Sequence, residues 1–167
     1  MGRQFEPVWA HFFQLSQYKP FTHTWAATTF FPKADVRPGE KKKMADDKAE
    51  VTRLINLYID GAGKGNREQL DEAFHSSARW FGTMGGTDYD MDKQGFIDLM
   101  VGQPGDGGNL VAKITGIQID GTAAIATVKE EGFWGIYAFT DYFSLSILDG
   151  RWQITNKTFA NTGVASA

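Results

Sequence analysis

The chain has 167 residues, 42% apolar and 22% charged, with a net charge of −3. That is enough for one domain with a proper core, and the slight negative balance argues against nucleic acid or an anionic membrane as a partner. With no cysteine in the chain, disulfides and thiolate metal sites are excluded.

Taken in order, the chain opens on MGRQFEPVWAHFFQL, which lacks the basic end, apolar stretch and small-residue cleavage site of a secretory signal. No apolar run approaches the roughly 18–20 residues of a bilayer span, so a cytoplasmic location is the default. Residues 1–43 differ from the rest. They hold four of the five prolines and carry seven Lys or Arg against three acids, whereas residues 44–167 carry ten against seventeen. Their aromatics follow no period, and the prolines limit any helix to a turn or two. The expectation is an accessory arm outside the core, or leader sequence before a natural start at Met44. The alternative is an aromatic arm packed over the domain or onto a second subunit. The division places the domain at 44–161 and a tail at 162–167.

Asp47-Lys-Ala-Glu50 reads as a capping box, and Val51, Leu54, Ile55 and Tyr58 fall on one helical face. Gly61, Gly63 and Gly65 should stop that helix. A second box, Asn66–Gln69, opens a short helix with Leu70, Ala73 and Phe74 inward. His75 and a strand over 78–83 follow, turned by Gly85-Gly86 into 87–90. Asp92 can cap a third helix, 93–101, with Phe96, Ile97 and Met100 at core spacing. The GDGG run after it lacks the GK[ST] of a phosphate loop and reads as a plain connection. Strands are expected over 110–120, with Ile117 and Ile119 on one face and Ile114 on the other, and over 122–131. The last stretch, FTDYFSLSILDGRWQITNKTF, is a hairpin turned at Asp149-Gly150. In its first strand Tyr137, Phe139, Asp141, Phe143, Leu145 and Ile147 share a face. In its second, strict alternation puts Trp152, Ile154, Asn156 and Thr158 on one face, with Gln153, Thr155 and Lys157 opposite. Helices first and a four-strand meander afterwards make an α+β domain.

Asp141 is the leading candidate for chemistry. A carboxylate on an apolar strand face has its pKa raised unless donors compensate, which suits a general acid or base or a ligand anchor. It could equally fix the core, accepting bonds from backbone, Lys157 or a Trp N–H. His75 offers a second member of an acid–base pair, or simply a partner for a helix end. Trp80, Met84, Tyr89, Phe96, Trp134 and Tyr137 supply aromatic and soft surface suited to a flat apolar ligand, with Asn156 as a polar contact. Tyr58 is expected in the core with its hydroxyl on a partner. One histidine in the domain gives no zinc-ligand spacing, so no metal is expected.

INLYIDGAGKGNREQLDEAFHSSA, IQIDGTAAIATV and FTDYFSLSILDGRWQITNKTF together resemble the nuclear transport factor 2-like superfamily, in its lumazine-binding branch with SnoaL-like relatives. The resemblance runs from about Asp47 to Phe159. It implies a cone-shaped, cystatin-like fold, with a curved antiparallel sheet, three N-terminal helices on its concave side, and a pocket between. It also implies a homodimer through the sheet. Members include isomerases, cyclases, dehydratases and plain binders, so the fold leaves function open. The first expectation is a protein that binds a small, flat, largely apolar molecule and needs no cofactor. The rivals are a cofactor-independent isomerase, dehydratase or cyclase using Asp141 and His75, and a dimerisation module without ligand.

Overall fold

The computed structural model describes residues 38–164. The arm expected over 1–43 lies outside the described residues up to residue 37, as do 165–167. Helix α1 spans Pro38–Lys64, α2 Arg67–Ala73 and α3 Lys93–Gly102. The strands are β1 Phe74–Met84, β2 Thr87–Asp92, β3 Asp106–Asp120, β4 Ala123–Phe133, β5 Tyr137–Leu148 and β6 Arg151–Val164. They form one sheet in the order β2-β1-β6-β5-β4-β3.

The expected meander is present, but the sheet is mixed rather than antiparallel, because β1 lies parallel to β6. The third helix is not N-terminal to the sheet: it follows the β1–β2 hairpin. No helix among the described residues is long and apolar enough to cross a membrane.

Helix α1 starts nine residues before Asp47. Proline is well tolerated at a first helical position, where its missing N–H costs nothing, and Pro38 occupies that position. Asp47 is therefore inside the helix, where it accepts a bond from the Trp152 indole at 3.0 Å. Val51, Leu54, Ile55, Tyr58 and Ala62 are buried along one stripe, as their spacing requires. Gly61 and Gly63 do not end the helix. A side chain at Gly61 would collide with Leu70 of α2, so close packing accounts for that glycine. The stop comes at Gly65, with φ of +66°, after which the Asn66 N–H returns to the Gly61 carbonyl at 2.9 Å. Asn66 then caps α2 by accepting from the Gln69 N–H, and Asp92 caps α3 through the Gly95 N–H.

Two bulges overturn the simple alternation in the long strands. Between Ile114 and Gly116 the β3–β4 register shifts by one residue, so Ile114 faces Val128 and Ile117 faces Ala126. Val128 and Ala126 are both buried, which brings Ile114 and Ile117 to the same side. In β6 the shift falls at Thr155, whose hydroxyl bonds the Ser144 carbonyl at 3.1 Å. Ile154 faces Leu145, but Asn156 faces Ser144 and Lys157 faces Phe143. Lys157 therefore turns inward and Asn156 does not, the reverse of strict alternation. The GDGG run is not a plain connection either, since β3 begins within it.

Gly82 shows how tightly β1 and β6 approach. It pairs with Phe159, and a β-carbon there would sit 2.5 Å from the Phe159 ring. The ring covers a glycine across the strand pair, a known way to fill such a gap. Gly82→Ala should cost about 1–3 kcal/mol by overpacking, read as a lowered urea midpoint. An unchanged midpoint would mean that Phe159 moves aside freely.

Candidate functional site

The inward faces of β4, β5 and β6 converge with α1 on a buried polar cluster. Tyr58 comes from α1, Glu130 from β4, Asp141 from β5 and Lys157 from β6. The Tyr58 hydroxyl donates to Asp141 Oδ2 at 2.6 Å. Lys157 Nζ donates to the same oxygen at 2.7 Å and to the Tyr58 hydroxyl at 2.6 Å. Asp141 and Tyr58 are wholly inaccessible and Lys157 is nearly so. The ammonium also lies 4.7 Å from the Tyr58 ring centre, 5.5 Å from that of Phe159 and 5.6 Å from that of Phe96. Its desolvation is thus offset by one carboxylate, one phenol oxygen and three aromatic faces.

Glu130 is the member without a partner. It is 1% exposed, and neither of its carboxyl oxygens has a hydrogen-bond partner among the described residues. Burial, and next the charge of Asp141, push its carboxyl up to about 8, against smaller opposing pulls from Lys157 and the Tyr58 hydroxyl. Glu130 therefore holds its proton at neutral pH. The same surroundings, burial first and then Asp141, drive the Tyr58 phenol well above its ordinary range and keep it neutral.

In front of this cluster lies a cavity. Its volume is about 40 Å³. The polar residues on its inner wall include Glu130 and Lys157, and Trp80, Phe96, Phe133, Phe139 and Phe159 form much of the rest. The Trp80 and Phe96 rings stack 4.4 Å apart, only 9° from parallel. A second hollow, nearer the surface, shares Met84, Tyr89, Leu99 and Trp134 with the first and adds Tyr137.

The residues singled out in the sequence fall into three groups. Trp80, Met84, Tyr89, Phe96 and Trp134 line the inner cavity, and Tyr137 the outer hollow. Asp141 is buried on the inward face, but is not among the cavity-lining residues; Lys157 is. His75 lies on β1, where its Nδ1 bonds the Ser77 hydroxyl at 2.7 Å, whereas Asp141 is engaged by Tyr58 and Lys157. Neither His75 nor Asn156 lines the cavity. Among the described residues, no group of three or more His, Asp or Glu is placed to hold a metal ion.

Comparison with known proteins agrees with this architecture. A family described as "Putative lumazine-binding" matches residues 46–160. The chain belongs to that family. Among solved structures, an NTF2-like protein of unknown function from Methylobacillus flagellatus KT is 34% identical, with a TM-score of 0.64, over 71% of this chain and 94% of that one. One from Shewanella baltica OS155 is 26% identical, with a TM-score of 0.63, over 70% and 94%. A ketosteroid isomerase-like protein from Erwinia carotovora atroseptica SCRI1043 shares the fold at 13% identity and a TM-score of 0.55, over 69% and 95%. No curated protein matches. The lumazine-binding family chain thus has the NTF2-like, cystatin-like fold, with three helices and a six-stranded mixed sheet among the described residues.

Sequence reasoning missed Glu130, although the signal was present. Ala124, Ala126 and Val128 are inward on β4, and period two carries the same face to residue 130. Lys157 was named only as a possible donor to Asp141 and was placed on the opposite face, because the bulge that turns it inward leaves no mark in the residue pattern.

Proposed function

We propose that this protein receives a small, flat, largely apolar molecule in the cavity between the sheet and α3, as its family's description suggests. The observation that carries this reading is an aromatic-walled cavity lined in part by Glu130, whose buried carboxyl is unpartnered. A buried polar group without a partner costs about 1–3 kcal/mol, and a ligand that bonds it recovers that cost. Pairing of two copies through the outer sheet face, where Val111, Ile125 and Tyr142 are exposed, and a cytoplasmic setting belong to the same reading. Native mass spectrometry of freshly purified protein should show a small non-covalent adduct that dissociates on activation. Bare protein, together with no rise in Tm from any member of a planar fragment set, would refute the reading.

A second reading, cofactor-independent proton transfer, draws on the same carboxyl. An acid pushed up to about 8 on a residue that lines a cavity is suited to exchanging a proton with a bound molecule near neutral pH. Asp141 then holds Lys157 and Tyr58 in place behind it. Glu130→Gln separates the two readings. A binder keeps its ligand, whereas an enzyme loses about 100-fold or more in turnover with its binding intact.

A further inference from the structure

We propose that Glu130 is the recognition group of this cavity, and that it selects an uncharged planar ligand carrying a hydrogen-bond donor and acceptor side by side, as on the edge of a cyclic amide. The inference rests on the pocket reading above and specifies its ligand. A protonated carboxyl presents one O–H donor and one acceptor oxygen on the same edge, which is the complement of an amide edge. Glu130 lies on the cavity wall with both oxygens unpartnered, so the whole edge is unused. The nearby Tyr58 hydroxyl gives its proton to Asp141 instead.

The surrounding charges argue against ionic ligands. The groups that act on Glu130 are Tyr58 from α1, Asp141 from β5 and Lys157 from β6, with Tyr89 of β2 among the residues of the same cavity. The Lys157 charge is already matched by Asp141, so an anion gains no free cation and meets two carboxyl groups. A cation fares no better. The aromatic faces of Tyr58, Phe96 and Phe159 are turned to the Lys157 ammonium, and a second positive charge beside it is repelled. A neutral edge suits both partners.

The cavity is small, about 40 Å³, so even a single ring must displace wall atoms. Met84 belongs to both the inner cavity and the outer hollow, and Met91 to the inner cavity. Unbranched methionine side chains change rotamer readily and suit such widening.

The test uses the full chain with ¹³C-labelled methionine methyls, titrated with 2-pyridone, benzoate, benzylamine and toluene and followed by NMR. At pH 6.5, 2-pyridone should shift the Met84 and Met91 signals saturably and bind about 10-fold or more tighter than the other three. Its affinity should fall about 10-fold between pH 7 and 9. Glu130→Gln keeps a donor and an acceptor, so it should bind within about threefold of the parent and lose the pH dependence. Glu130→Leu should lose about 10-fold or more. If toluene binds as well as 2-pyridone, if either ion binds better, or if the parent shows no pH dependence, recognition by Glu130 is wrong while the pocket reading stands. If no probe moves any cavity methionine, the pocket reading fails and takes this one with it.

Discussion

Asp141→Ala should lower stability by about 3–5 kcal/mol, the usual result of stranding one member of a buried ion pair. Lys157 would keep only the Tyr58 oxygen and its aromatic neighbours, and Tyr58 would lose the acceptor of its proton. Replacing both members, as Asp141→Leu with Lys157→Met, should cost less than the single change, because no uncompensated charge then remains inside. Urea unfolding of the two single variants and the pair gives the coupling directly. A loss under about 1 kcal/mol for Asp141→Ala would show that the lysine finds water instead, and that the cluster is looser than its distances imply.

The second large effect is a fall in stability with rising pH that belongs to Glu130. In the unfolded chain this carboxyl titrates near 4.5, and in the folded protein at about 8. Between those values the unfolded form has shed its proton and the folded form has kept it. Unfolding therefore releases a proton, and stability drops as pH rises. Below the lower value and above the upper one both forms match, so the contribution is flat. A gap of that width corresponds to roughly 5 kcal/mol across the window. Glu130→Gln abolishes the titration. The variant should resemble the parent at pH 5 and exceed it by several kcal/mol at pH 9. Urea midpoints measured at both pH values decide the matter; parallel curves for parent and variant would mean that the folded carboxyl reaches solvent.

How much of this was legible beforehand varies by element, for physical reasons. The core stripe of α1 was plain because helical spacing is periodic and buried residues must follow it. The hairpin at Asp149-Gly150 was equally plain: Asp149 and Gly150 both have positive φ, 51° and 77°, and few residue pairs accept that. The early start of α1 was hidden because Pro38-Gly39 looks like a break and is one only inside a helix. Asp141 was found because it interrupts an apolar face. The core-fixing alternative with Lys157 as donor matches the observed ion pair, whereas the Tyr58 bond, from α1 83 residues earlier, was not foreseen. The parallel pairing of β1 with β6 joins segments far apart in the chain and leaves no local trace.

The surplus residue at Thr155 has a consequence for how chains of this kind are compared. Here the interior lysine follows Ile154 by three positions, with the extra residue looped out of the ladder. A straight strand with the lysine two positions after the isoleucine would send the same side chain to the same side. The one interior thus has two spellings, differing by a single letter. Counting columns between an aligned tryptophan and lysine would set such chains apart although their insides agree.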